Sequence, residues 1–253
     1  MGKSKQLKTT EPLAAGIILG AFLLCMALSA FGYGRAQAAA QRAARQAVGA
    51  AAQVADSSRL FAGYTQLEDP LLVLVNNWVP LPEGWEVTPR MVDDELVDLR
   101  MYEDYTAMCR AAAQEDVWFW VASGYRSVEE QRGVLGRAIG EGEQAGLTAE
   151  AARQEALRTI ARPGYSEHHT GLAIDLNDVS SGFEDTPAYA WLQRRGADYG
   201  FIQRYQGDKS HITGIDNESW HYRYVGKKHA KEMRRLDMCL EEYVVYLQKQ
   251  GVR

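Results

Sequence analysis

The run SEHHTGLAIDL, Ser166 to Leu176, changes character halfway along. Ser166, Thr170 and Gly171 are turn formers, and His168 sits among them. From Thr170 the chain reads TGLAIDL, a short apolar strand that encloses one carboxylate, Asp175. Ala173, Ile174 and Leu176 mark that strand as largely buried, and a bare buried carboxylate is costly. Asp175 therefore either reaches solvent, caps a turn, or is neutralised by a cation. With a histidine just upstream, a metal is the simplest partner.

Further along, Glu218-Ser-Trp-His221 leads into WHYRYV, Trp220 to Val225, a second strand. All five histidines fall between His168 and His229. A catalytic zinc site commonly takes three protein ligands and keeps a fourth position for water. His168, Asp175 and His221 supply that number and type. A carboxylate beside the water, and off the metal, can take its proton, and Glu218 is the candidate. Residues three apart on a flat strand face opposite sides, so Glu218 is expected in the turn entering the strand, where Asp216-Asn217 is turn material. Trp220 is expected to pack as a wall. Taken alone, Glu218 reads equally as a surface carboxylate.

The elements around these strands are mixed. Asp93–Gln114 carries Leu96, Leu99, Tyr102, Tyr105 and Met108 at helical spacing. VWFWVAS, Val117 to Ser123, reads as a buried strand. Ser127-Val-Glu-Glu130 is a capping box opening a helix. Another helix starts near Thr148 and stops before Pro163-Gly164. Pro187 opens a helix over 188–197. Lys227 to Gln250 reads as one closing amphipathic helix. The LLVLVN run from Leu71 marks where the folded domain begins. The fold class is α+β, a small antiparallel sheet flanked by helices, with an N-terminal transmembrane helix.

That last expectation rests on Pro12 to Gly34, which holds no charged residue and can cross a bilayer core of ~30 Å. A cleaved signal has a shorter apolar region of about 7–15 residues, although Ala36-Gln37-Ala38 offers a small-residue cleavage pattern. Residues 1–11 are read as a cytoplasmic head, 12–34 as the span, 35–66 as an Ala-rich stalk and linker, and 67–253 as the folded domain. Lys3, Lys5 and Lys8 precede the span, whereas Arg35, Arg42 and Arg45 follow it. With so short a head, the N-terminus is expected inside and the domain outside, or released if the segment is cleaved. A hydrophobic content of 46% and a charged content of 24% are globular values. The net charge of −5 argues against nucleic acid as a partner. Cys109 and Cys239 form a possible pair, and no C-x-x-C spacing supports a structural zinc knuckle.

Three motifs in order, S-G-Y-R-S at Ser123–Ser127, S-E-H-x-T-G-x-A-x-D, and E-x-W-H-x-R-Y-V-G, resemble the VanY-type D-alanyl-D-alanine carboxypeptidases. The resemblance runs from about Leu71 through Tyr199-Gly-Phe-Ile202 to Leu240–Tyr243 and leaves out the span and stalk. It implies Zn2+ held by His168, Asp175 and His221, with Glu218 as general base. Arg126 would polarise the scissile carbonyl, a role that suits a guanidinium held just after a buried strand. Ser166 and Gln131 would help hold the substrate's terminal carboxylate. The implied substrate is a peptidoglycan stem peptide that loses its terminal D-alanine, and the enzyme is expected to act as a monomer. L,D-carboxypeptidase or endopeptidase action, and a binding module without catalysis, remain alternatives. His169, His211 and Arg204 are open between pocket-shaping and structural roles, and His229 reads as structural.

Overall fold

The computed structural model describes residue 61 and residues 64–253. The expected head and span, the Ala36–Ala38 cleavage pattern and most of the stalk lie outside the described residues. Among the described residues no helix is long and apolar enough to cross a membrane.

Two antiparallel sheets organise the domain. A hairpin pairs β1 (Pro89–Val92) with β2 (Glu95–Asp98). The principal sheet has the order β3-β4-β6-β5, with β3 Val121–Ser123, β4 Ala173–Leu176, β5 Phe201–Tyr205 and β6 Glu218–Tyr224. The longer helices are α1 (Leu99–Ala113), α2 (Val128–Gln144), α3 (Ala149–Ala156), α4 (Pro187–Arg195), α6 (Lys227–Leu236) and α7 (Leu240–Lys249), with a short α5 at Ser210–Thr213. Strands alternate faces, and that period divides the sheet into two chemistries. Leu172, Ile174 and Leu176 join Tyr222 and Tyr224 in a core closed by Met101, Tyr105 and Met108 of α1 and by Trp191 of α4. Asp175 and His221, paired across β4 and β6, take the other face. A second core packs Leu72, Leu74 and Val225 against Met233 of α6 and Tyr243 and Val244 of α7.

The helix starts follow their caps. Asp98 accepts from Arg100 N, Ser127 and Glu130 close the capping box, Thr148 accepts from Ala151 N, and Thr186 precedes Pro187. Several expectations are corrected. Asp93–Gln114 is not one helix: Asp93 and Asp94 take positive φ (50° and 67°) in a tight turn, and the helix starts only at Leu99. Its buried stripe is Met101, Tyr105, Met108 and Ala112, while Leu96 and Leu99 are exposed. Val117–Ser123 forms a ladder only over β3 at the sheet edge, and Trp118 and Trp120 project into solvent. The helix from Thr148 does stop before Pro163 as expected, ending at Ala156. The closing helix is two, because Asp237 turns left-handed (φ 53°) between α6 and α7. Cys109 and Cys239 are free thiols. Residues read as linker also pack on the domain. Phe61 is buried and stacks on Trp78 at 5.7 Å, and the Gln66 amide pairs with both backbone groups of Leu74.

Candidate metal centre and active site

Three side chains meet over the polar face of the sheet. Asp175 and His221 are directly opposed on β4 and β6, and His221 Nδ1 lies 2.9 Å from Asp175 Oδ1. His168 arrives from the 3-10 turn Glu167–Thr170 that precedes β4, its Nε2 3.3 Å from Asp175 Oδ2. All three residues are buried, and their donor atoms lie within 4.8 Å of one another. The local chain explains the convergence. Gly171 takes φ 70° to turn from the 3-10 helix into β4, and a Cβ there would strike Val87 and Asp98. Gly124 lets its carbonyl approach His168 Nδ1 at 2.6 Å, and a Cβ on it would collide with the Leu96 carbonyl. A carbonyl only accepts, so His168 carries its proton on Nδ1 and presents the Nε2 lone pair inward.

This donor set fits zinc. Two imidazole nitrogens and one carboxylate oxygen match its preferences, and donors bonded at about 2.0–2.2 Å to one ion lie roughly 3–4 Å apart. The electrostatics agree. Burial, with Arg126 nearby, pulls the His168 imidazole down to about 4, so it is neutral at pH 7. Burial opposes ionisation of Asp175, but His168 and His221 outweigh it and hold the carboxyl well below its usual range. Burial likewise works against a proton on His221, yet Asp175 and Glu167 raise it, so a metal cation must compete for that proton.

A cleft of about 400 Å³ opens over the donors, with Arg126, Gln131, Ser166, Tyr205, Glu218 and Trp220 on its walls. Arg126 is fixed at three points. Nε donates to Ser123 Oγ at 2.9 Å, Nη1 to Gln131 Oε1 at 3.3 Å, and Nη2 to Asp175 Oδ2 at 2.6 Å. His169 clamps the same segment from behind. It accepts from Gly164 N on Nε2 at 3.0 Å and donates from Nδ1 to Arg126 O at 2.7 Å. Glu218 does not lie in the turn before the strand: it opens β6 itself, 3.8 Å from His221 Nδ1. A bulge makes this possible, since a two-residue step along β5, Gln203 to Tyr205, is matched by a four-residue step along β6, Tyr222 to Glu218. Burial, supported by Asp175, pushes the Glu218 carboxyl up to about 8, against the pull of His221 and Arg126.

Ser166 caps the 3-10 turn through a contact with His168 N at 3.4 Å. Gln131 is buried and donates from Nε2 to Ala161 O at 2.8 Å. His211 is exposed on α5, and His229 bridges Tyr243 and Asp69 away from the cleft.

Sequence reasoning missed what stands behind His221. Glu167 Oε1 accepts from Arg204 Nε at 2.8 Å and from Arg223 Nη1 at 2.9 Å. Arg204 also forms a two-pronged pair with Glu241 at 2.8 and 2.6 Å. Arg223 donates onward to the carbonyls of Leu71 and Val73. Burial disfavours the Glu167 carboxylate, but the two guanidiniums hold it far below its usual range. The available signal was a pair of arginines, Arg223 inside the WHYRYV strand and Arg204 just after the Tyr199-Gly-Phe-Ile202 run.

An α+β domain carrying two histidines and an aspartate at the floor of a cleft, with a carboxylate and a guanidinium beside them, defines a mononuclear metallohydrolase centre. The family model for VanY, D-alanyl-D-alanine carboxypeptidase, matches residues 94–227. A D-alanyl-D-alanine carboxypeptidase of Enterococcus faecalis is 38% identical over 174 residues, covering 68% of this chain and 65% of that relative. The chain thus spans about two thirds of that relative's length. Among solved structures, a variant of the vancomycin resistance D,D-pentapeptidase VanY from a VanB-type cassette, in complex with Zn(II), matches with TM-score 0.64 and 38% identity, over 69% of this chain and 99% of that one. The LdcB LD-carboxypeptidase matches with TM-score 0.60 and 30% identity, over 72% of this chain and 90% of that one. The chain belongs to the VanY family of D-alanyl-D-alanine carboxypeptidases.

Proposed function

We propose that the protein is a zinc-dependent D,D-carboxypeptidase that removes the terminal D-alanine from peptidoglycan stem peptides. The observation that carries this reading is the meeting of His168, Asp175 and His221 within one cleft that also holds Glu218 and Arg126. In it, His168 Nε2, an Asp175 carboxylate oxygen and His221 Nδ1 are the ligands. When bound, zinc supplies Lewis acidity, acidifying a water and drawing charge from the scissile carbonyl. Glu218 takes the proton of the attacking water and returns it to the leaving amine. A raised carboxyl suits the second task, and a cation beside it favours the ionised form needed for the first. Arg126, fixed by Ser123 and Gln131, donates to the oxygen that gains charge during attack. Ser166, on the cleft wall, is taken to help hold the substrate's terminal carboxylate. Gln131 spends its amide on Ala161 O and Arg126, so it contributes mainly by orienting the guanidinium.

D-alanine specificity rests on what the relatives are named for. The likeness to an LD-carboxypeptidase keeps trimming of tetrapeptides as a second reading. A binding module without catalysis is disfavoured, because a base and a carbonyl-polarising arginine both face the cleft. The apolar segment 12–34 is proposed to tether a monomeric enzyme with its catalytic domain on the outer side, where this substrate lies. Incubating the protein with tri-, tetra- and pentapeptide stems and identifying the released residue by mass tests the assignment. Loss of D-alanine from the pentapeptide alone supports it, and cleavage confined to the tetrapeptide replaces it with the L,D reading.

A further inference from the structure

Two buried atoms in the domain face each other without a partner. His221 Nε2 and Glu167 Oε2 each lack a hydrogen bond, both residues are almost fully buried, and the two atoms are 3.7 Å apart. The ring between them has little freedom. Tyr205 lies against one side with ring centroids 4.8 Å apart, and His168 meets it edge to face at 5.0 Å. On the opposite edge, His221 Nδ1 points at Asp175.

We infer that Glu167 is the positioning residue for His221, accepting a hydrogen bond from its Nε2–H so that Nδ1 is free for the metal. This rests on the reading of His221 as a zinc ligand. A neutral imidazole carries one proton, so a ring that ligates through Nδ1 must hold it on Nε2. Left without an acceptor in the core, that N–H would carry an uncompensated desolvation cost. Closing the 3.7 Å separation by less than an ångström makes the bond, and Oε2 is the side of Glu167 that the arginines leave open. A flipped ring would instead present carbon to both Glu167 and Asp175.

The surrounding cluster explains why a carboxylate can serve here. Arg204 and Arg223 balance Glu167 and Glu241, so the group is neutral as a whole and anchored to α7 and to the Leu71 and Val73 carbonyls. Glu167 and His168 are neighbours on one 3-10 turn. That turn supplies one ligand directly and orients another from behind, coupling the two histidines of the centre.

The test uses full-length protein purified in detergent. Zinc affinity is measured by competition with a chromophoric chelator, geometry by the visible spectrum of the cobalt(II)-substituted protein, and folding by thermal melting without metal. Wild type should bind and His221→Ala should not; if both bind alike, the assignment of the centre fails and the inference falls with it. Glu167→Gln should weaken zinc binding by about 10–100-fold and alter the cobalt spectrum. Glu241→Gln disturbs the same ion cluster without facing His221, so it should lower the melting temperature yet leave zinc affinity within about threefold. Equal weakening by both variants, or an effect of Glu167→Gln below threefold with an unchanged spectrum, overturns the inference. Should Glu167→Gln fail to fold, ¹⁵N-histidine spectra of the zinc-loaded wild type decide. A slowly exchanging His221 proton on Nε2 is expected, and a proton on Nδ1 overturns it.

Discussion

Glu218 and His221 stand three residues apart on one strand, yet their side chains meet, Oε2 to Nδ1 at 3.8 Å. The bulge against β5 returns Glu218 to the face that carries His221. The proposed base and a proposed ligand therefore share one backbone segment, and their separation is set by strand geometry. This suits a base that must reach a water on the metal without binding the metal itself.

Replacing Glu218 with Gln tests that division of labour. The amide keeps the shape and cannot take a proton. Zinc should bind as in wild type, while kcat falls by ~10²–10⁴, the usual range for a general acid–base group. Zinc content by mass spectrometry together with turnover on a pentapeptide checks it. Activity within a few-fold of wild type would mean that another base acts.

Arg126→Lys keeps the charge and loses the fork that reaches Ser123, Gln131 and Asp175 together. A kcat loss of about 10²–10³ is expected, the scale of one oxyanion donor. KM should change little, because the interaction strengthens as the carbonyl gains charge. A rise in KM alone would place Arg126 in ground-state binding instead.

Much of the site was legible because its chemistry is packed into short stretches. A lone Asp in TGLAIDL and the Glu218–His221 spacing need no distant partner to be noticed. The hairpin before α1 was hidden because ELVDLRMY carries helical as well as alternating spacing, and the deciding feature is the left-handed Asp93-Asp94 turn. The break at Asp237 is equally local, with no Gly or Pro to announce it. Glu167 was illegible for another reason. Its partners Arg204 and Arg223 lie 37 and 56 residues away, and only the folded sheet brings them together.

The packing of Phe61 on Trp78 sets where the domain can be cut. Phe61→Ala should lower stability by about 2 kcal/mol, less than a central aromatic deletion because the residue lies at the edge of its core. A truncated protein starting at Gln66 should show the same shift in its urea midpoint and still bind zinc with wild-type affinity. An unchanged midpoint would mean that the contact contributes nothing.

Asp98 makes the fold acid-sensitive. Burial pushes its carboxyl up, but hydrogen bonds from Arg100 and from the Arg100 and Thr88 backbone amides outweigh that and hold it below its ordinary value of 3.8. A depressed carboxyl stabilises the fold above that value, and the contribution is lost as the pH falls through the folded-state value. Asp98→Asn should therefore melt lower than wild type at pH 7, with the gap narrowing below pH 3.8. Melting curves of metal-free protein check this without interference from zinc loss, and a gap that widens in acid would refute it.

The central claim, that zinc held by His168, Asp175 and His221 drives release of D-alanine, is tested most directly by titrating zinc into metal-stripped protein while D-alanine release from a pentapeptide stem is followed. The expected result is no release without metal, a linear rise, and a break at one zinc per chain. Substantial release by the metal-free protein, or zinc saturating the chain without any release, would contradict it.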